Sequence, residues 1–413
     1  MTRLNNLTAK IEERLPAELA GFIKRAGKTA AAGGERLYLV GGVVRDLLLD
    51  KTSPDIDFVV EGDAIALAQK LAGKDNKITS HQQFNTAKFN WRQWSIDIAT
   101  ARRESYAHPG ALPDVEPGSL EDDLIRRDFT INAMAVELEP QSYGRLIDKY
   151  SGLKDLDSGQ VRVLHDKSFI DDSTRIWRGL RYEARLDFQL EPHTMQLLKH
   201  NIDMLDTVSG DRIRYEIECV LAEEEPEKVF LRADELGVLA KLSPSLKADD
   251  WLAQKFSQAR KLVTARPSPA LYLALLTYNL NDEEKELLID YLRLTKPVAQ
   301  AFRDSGLVKS RLDKLTDAGL NHSDIYRLLD GCVLQAINAN LIATDAAAAR
   351  KHIQLYLGRL RYVKPLLTGD DIMQMGVPEG PRIREILDRL LDARLDGQVR
   401  TREDEEKMVG KLV

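Results

Sequence analysis

The apolar positions change their period partway along the chain. Leu15, Leu19, Phe22 and Ile23 fall on one helical face, and Ala32-Gly33-Gly34 ends that stretch. Between residues 37 and 150 the apolar residues come in short runs, at 37–40, 56–60, 94–99 and 133–138, which predict strands. Helical spacing lies between them, as at 64–73, and the mixture predicts an α/β domain. From about residue 168 the strand signal fades. Helical spacing then recurs at 171–186, 212–223, 250–264, 282–293, 323–339, 345–361 and 381–394, broken by segments such as Pro267-Ser268-Pro269. No fixed-period repeat and no low-complexity linker interrupts it. The pattern predicts an N-terminal α/β head on a long helical body.

Composition narrows the class without naming a chemistry. With 413 residues, 43% hydrophobic and 30% charged, the chain is long enough for several domains and is neither disordered nor fibrous in profile. A net charge of −6 gives no global pull toward nucleic acid, so a nucleic-acid partner requires positive charge gathered locally. Cys219 and Cys332 form neither a metal-ligand pattern nor a disulfide framework, which points to a reducing cytoplasm. Arg3, Lys10, Glu12, Glu13, Arg14 and Lys24 interrupt the first 25 residues, as expected of an amphipathic helix and not of a secretory leader. No charge-free stretch reaches membrane-spanning length, so no membrane association is expected.

Candidate chemistry begins at the first strand. It runs into Gly41-Gly42 and then Val43-Val44-Arg45-Asp46, a strand–turn–helix reading. Glycines let backbone approach phosphate, a helix N-terminus offers free N–H groups, and Arg45 lies one turn in. The same text also fits a plain turn, and it matches neither the dinucleotide fingerprint nor the P-loop. Asp55-Ile56-Asp57 follows on a strand, where alternate residues share a face. Two carboxylates held side by side are costly unless a cation sits between them, and Mg²⁺ commonly takes one or two carboxylates plus substrate phosphates. A third acid, Asp97, faces away from Ile96 and Ile98; it is either a further metal ligand or a polar residue on an exposed face. Arg126-Arg127-Asp128-Phe129-Thr130-Ile131-Asn132-Ala133 pairs two arginines suited to phosphate, or to ion pairs with Asp122 or Asp123.

The stretch Asp171-Asp172-Ser173-Thr174-Arg175-Ile176-Trp177-Arg178 reads as a helix start. On one helix Asp172 and Arg175 would lie about 60° apart and form a polar edge. Arg178, Arg181 and Arg185 extend this into a broad basic face, with Ile176 and Leu180 on the buried side. An acid beside an arginine offers an acceptor and donors to the edge of a base; alternatively the two simply pair with each other.

In this order the motifs resemble the class II tRNA nucleotidyltransferases (CCA-adding enzymes) and the related bacterial poly(A) polymerases. Besides the stretches quoted, Asp148-Lys149-Tyr150-Ser151-Gly152-Leu153-Lys154-Asp155-Leu156 looks like the family's head-to-neck hinge. Ser209-Gly210-Asp211-Arg212-Ile213-Arg214-Tyr215-Glu216 looks like the motif that follows its nucleotide-selecting helix. The resemblance covers about residues 37–223. It implies an N-terminal helix (1–31), a polymerase-β-like α/β head (32–150), and an all-α neck (151–223), body (224–300) and tRNA-binding tail (301–413). The implied reaction is stepwise, template-independent transfer of CMP or AMP from CTP or ATP to a tRNA 3′ end, with Mg²⁺ as cofactor and no protein partner. Carried over residue by residue, Asp55 and Asp57 match the metal ligands and Asp97 a third catalytic carboxylate. Gly42, Arg45, Arg126 and Arg127 match nucleotide or triphosphate contacts. Asp172 and Arg175 match the pair that reads the incoming base, accompanied by Arg178 and Arg181. The family usually has Glu-Asp where this chain has Asp171-Asp172. The Pro- and Gly-rich segment 102–120 matches a flexible loop that, in the family, affects addition of the terminal A. Its wording fits members that add A or CC alone as well as members that add all of CCA.

Overall fold

The computed structural model describes residues 6–52, 55–73, 76–111, 113–262 and 266–412; Arg3, Leu112 and the end of the 250–264 stretch lie outside them. The chain divides into one unit of Met1–Glu224 with Glu235–Lys241 and a second of Glu225–Asp234 with Leu242–Val413.

The first unit is built on a seven-stranded sheet. Its strands are β1 (Arg36–Val40), β2 (Asp55–Glu61), β3 (Ile78–His81), β4 (Thr86–Trp91), β5 (Trp94–Thr100), β8 (Met134–Glu137) and β9 (Leu146–Asp148), in the order β3-β4-β5-β2-β1-β8-β9. A separate hairpin pairs β6 (Arg102–Ser105) with β7 (Asp114–Pro117). Only β2 and β5 run parallel among the sheet's pairings. The helices are α1 (Thr8–Arg14), α2 (Ala17–Ala32), α3 (Gly42–Leu48), α4 (Ala64–Ala72), α5 (Leu120–Ile125), α6 (Gly152–Asp157), α7 (Ser168–Asp171), α8 (Arg175–Leu186), α9 (Pro192–His200) and α10 (Gly210–Leu221).

Both faces of the sheet's centre are buried, which explains why β1 and β2 read as runs and not as alternation. On β2 the residues Ile56, Phe58 and Val60 are fully packed, and each such side chain contributes roughly 1.5–3 kcal/mol by leaving water. Val59, on the opposite face, packs with Tyr38, Val40, Leu120 and Leu124. Asp55 and Asp57 share the face of Val59, so the apolar layer under α5 ends at the carboxylates.

The hinge-like text is held by backbone contacts. Asp148 accepts from the N–H groups of Gly152 (2.7 Å) and Leu153 (3.0 Å), which starts α6. A Cβ on Gly152 would lie 2.3 Å from the Thr130 carbonyl oxygen, so only glycine permits the approach.

The second unit is helical, with one core around Ile325, Leu329, Ile337 and Ile353 and another around Ile372, Ile386 and Leu390. The stretch 323–339, expected to form one helix, forms two, His322–Leu329 and Leu334–Ala343. Asp330 turns extended (ψ 146) and Gly331 takes φ +81, which no continuous helix accommodates. Pro267-Ser268-Pro269 is a start as well as a break: Ser268 caps Pro269–Leu276 through the Leu271 N–H. Gly380 leads into the helix Pro381–Leu395. Cys219 and Cys332 are both free thiols. Among the described residues no helix is long and apolar enough to cross a membrane.

Candidate active site

A cavity of about 390 Å³ lies within the first unit, lined by Gly41, Gly42 and Asp57 from β1–α3 and β2, by Glu104, Tyr106 and Pro113 from the hairpin region, and by Arg126, Arg127, Asp128, Asn132, Asp172, Arg175, Arg178, Tyr182 and Arg212. Sequence positions up to 171 residues apart thus meet around one polar space. Of the expected site residues, Asp55, Asp97, Arg45 and Arg181 do not line it.

The acidic end is set by strand register. Asp57 lies beside Asp97 in the parallel β2–β5 pairing, so their side chains share a face. Burial drives the Asp57 pKa up; Arg127 opposes this, Asp97 and Asp55 add to it, and the result is about 6. Asp97 is drawn the other way, to Lys88 Nζ at 2.8 Å across the antiparallel β4–β5 pair. Among the described residues no three acidic, His or Cys side chains converge closely enough to hold a metal by themselves. The alternating pair Asp55 and Asp57 is a donor set that could hold a hard cation only with substrate oxygens to complete it.

The glycine that meets the carboxylate is Gly41, one residue before the expected Gly42. Its φ is +73, and a Cβ there would sit 3.2 Å from Asp57 Oδ2 and 3.1 Å from Arg127 Nη1. Arg126 and Arg127 both donate to Asp123, which is fully buried. Burial works to raise the Asp123 pKa, but Arg127 and Arg126 outweigh it and lower it. The ion pairs offered as the alternative reading of these arginines therefore exist, and both guanidiniums still face the cavity.

Arg45 is 2% exposed. It donates to Asp46 and to Asn132 Oδ1 (2.7 Å), and its guanidinium lies 5.2 Å from the Tyr182 ring centre. It therefore supports Asn132 and Tyr182, which do line the cavity, from behind. Asn132 in turn donates to Asp128 Oδ1 (3.0 Å), and Asp128 Oδ2 accepts from Arg178 Nε (2.9 Å) and Nη2 (2.6 Å). Burial pushes the Asp128 pKa upward, but Arg178 overrides it and holds the carboxyl at about 2.

The expected polar edge of Asp172 and Arg175 on one helix is corrected by the structure. Asp172 is extended (φ −143, ψ 97) and α8 begins only at Arg175. Asp172 Oδ1 instead accepts from the Thr174 hydroxyl (2.6 Å), the Thr174 N–H (3.0 Å) and Arg212 Nη2 (2.8 Å). The Arg175 guanidinium donates to Ser168 Oγ (2.7 Å) and to the Arg126 carbonyl (2.6 Å), not to the Asp172 carboxylate. Ile176 and Leu180 are fully buried, as expected. The expected broad basic face is likewise countered by acids: Arg181 is 8% exposed and faces Glu216 and Glu223 at 3.7 and 3.6 Å, and Arg185 pairs with Glu223.

Several lining residues had gone without a role in the sequence reading. Asp128, Asn132 and Arg212 stand inside motifs already singled out, and Tyr182 lies one turn beyond Arg178. Glu104 and Tyr106 stand in the 102–120 segment, where no role was given to either; Glu104 accepts from Arg126 (3.0 Å) and from the Tyr106 hydroxyl (2.9 Å).

Comparison with known proteins gives a consistent family. Residues 37–162 match the Poly A polymerase head domain, and residues 187–250 match the probable RNA and SrmB-binding site of polymerase A. An A-adding tRNA nucleotidyltransferase of Geobacter sulfurreducens is 35% identical over 97% of this chain; the chain spans about half (48%) of that relative's length. An A-adding tRNA nucleotidyltransferase of Halalkalibacterium halodurans is 31% identical, covering 97% of this chain and 94% of the relative. The Thermotoga maritima CCA-adding enzyme complexed with tRNA superposes with a TM-score of 0.77 at 29% identity, over 99% of both chains.

Proposed function

We propose that this chain, which belongs to the tRNA nucleotidyltransferase family, transfers CMP, AMP or both from CTP and ATP to the 3′ end of tRNA. The observation that carries the reading is the single cavity in which Asp57, the Arg126–Arg127 pair and the Asp172–Arg175–Arg178 group meet.

The reaction is attack of the RNA 3′-hydroxyl on the α-phosphate, with pyrophosphate leaving in line. Asp55 and Asp57 would hold Mg²⁺, which supplies charge neutralisation and lowers the pKa of the attacking hydroxyl. Asp97 contributes negative charge beside Asp57 and keeps Lys88 at the rim. Arg126 and Arg127 keep donors toward the cavity while Asp123 fixes their planes, an arrangement suited to the triphosphate. Gly41 lets backbone pass close to Asp57 and Arg127, and Gly42 continues that edge. Asp172 offers an acceptor and Arg175 and Arg178 offer donors to the base edge, while Arg45 and Arg181 brace this wall from behind. Residues 301–413 are assigned to grip tRNA by shape and phosphate contact, and the free thiols fit a cytoplasmic setting.

Addition of A alone is a second reading, favoured by the names of the two relatives that match 97% of the chain. Incubation with tRNAs ending at the discriminator base, at -C and at -CC, with each labelled nucleotide alone and together, separates the cases. Full addition extends all three substrates, and A-only addition extends only the -CC end. A long A tail would replace both readings with a poly(A) polymerase, and no incorporation with Mg²⁺ present would leave a non-catalytic RNA-binding protein.

A further inference from the structure

Asp172 has two carboxylate oxygens, and the structure uses only one. The Thr174 N–H, the Thr174 hydroxyl and Arg212 Nη2 all donate to Oδ1, at 3.0, 2.6 and 2.8 Å. Among the described residues Oδ2 takes no hydrogen bond. Asp172 caps the end of α7, its N–H donating to the Ser168 carbonyl (3.2 Å) and its carbonyl accepting from the Arg175 N–H (3.1 Å), while its carboxylate is held by these three donors.

Arg212 is the only charged donor of the three, and it is itself anchored. Its Nη1 donates to the Gly110 carbonyl at 3.2 Å. Gly110 has φ +74, and a Cβ there would sit 2.4 Å from the Thr207 carbonyl oxygen, so only glycine brings that carbonyl into range. The guanidinium is thus held at one end by backbone and at the other grips Oδ1. Arg212 and Asp172 both line the cavity.

We propose that Arg212 is a positioning residue for nucleotide choice, pinning Asp172 Oδ1 so that Oδ2, as an acceptor, meets the base edge. The proposal rests on the reading of Asp172 as a base-contacting residue. The chemistry gives the guanidinium a selective consequence. Cytosine and adenine present exocyclic amino donors, at N4 and N6, where uracil and guanine present carbonyl oxygens. A carboxylate oxygen facing the base accepts and does not donate, so it favours C and A and repels U and G.

The test measures kcat/KM for CTP and ATP against UTP and GTP on a tRNA primer, for Arg212→Ala, Arg212→Lys, Asp172→Ala and the Ala/Ala double variant. Arg212→Ala is expected to lower discrimination about tenfold, the size of one charge-assisted hydrogen bond. Arg212→Lys is expected to recover part of it, and the double variant to discriminate no worse than Asp172→Ala alone. If Arg212→Ala melts early, the Arg212→Lys variant still reports: partial discrimination supports the proposal, and discrimination equal to wild type overturns it. Slower turnover with unchanged discrimination in both Arg212 variants is the signature of a merely structural role and also overturns it. Additive losses in the double variant overturn action through Asp172. The underlying reading fails separately, and takes this one with it, if Asp172→Ala itself discriminates as wild type.

Discussion

Asp57 and Asp128 line the same cavity, yet the protein treats them in opposite ways. Asp128 is 6% exposed and paired with Arg178, and it is held at about 2 despite its burial. Asp57 has only the more distant help of Arg127 and Lys88, stands beside Asp97 and Asp55, and is pushed up to about 6. Asp123 sides with Asp128, carrying two arginines of its own. The contrast separates acids that hold the walls from acids that await a partner. Where the fold supplies the counter-charge, the acid is architecture. Where like charges are gathered and no ion pair to Asp57 exists among the described residues, the acid has the character that the proposed metal role requires.

The sharpest way to break this contrast is to remove each kind of acid in turn. Asp55→Ala is expected to cut incorporation of labelled CTP and ATP by roughly a thousandfold or more while the thermal midpoint stays near wild type. Normal turnover would remove the metal assignment. Asp128→Ala should do the reverse in kind, costing about 3 kcal/mol of stability because Arg178 loses its main buried partner; thermal melting and denaturant titration read this directly. An unchanged melt would show that Arg178 finds another partner.

The acid limb of stability carries a smaller signature. The Asp128 pKa is depressed when folded, so its contribution is complete above the unfolded value of about 4 and is lost as pH falls through about 2. That difference amounts to about 2.5 kcal/mol. Asp128→Asn should flatten this part of the stability–pH curve, and a curve identical to wild type would disprove the pairing. Asp172→Ala should have the smallest effect, blurring the choice of CTP and ATP over UTP and GTP about tenfold with less loss of rate. Equal selectivity in single-nucleotide assays would take Asp172 out of base reading.

How much of this was legible in the sequence follows from which forces set each part. Central strands β1, β2 and β5 declared themselves because their side chains are packed by the sheet's own layers. Strands β3 and β4 did not: Ile78–His81 carries a single apolar residue, and in β4 Ala87, Phe89 and Trp91 alternate with Thr86, Lys88 and Asn90, so neither forms an apolar run. The carboxylates of β2 and the arginines at 126–127 were readable because spacing alone places them. The partnership of Asp172 was not, because helical spacing assigns it to Arg175, whereas the turn at Ser173-Thr174 hands it to Arg212, forty residues on. The same limit hid Arg45's support of Asn132 and the break at Gly331. Periodicity reports neighbours along one element; it does not report which distant side chain supplies a counter-charge.

The central contrast is tested most directly by Asp57→Asn, measured for labelled-nucleotide incorporation into tRNA and for thermal melting on the same preparation. Removing an acid that burial disfavours should leave the midpoint at or above wild type while incorporation disappears. A variant that melts well below wild type, or one that adds nucleotide at the normal rate, would contradict the assignment of Asp57 as the acid left waiting for its cation.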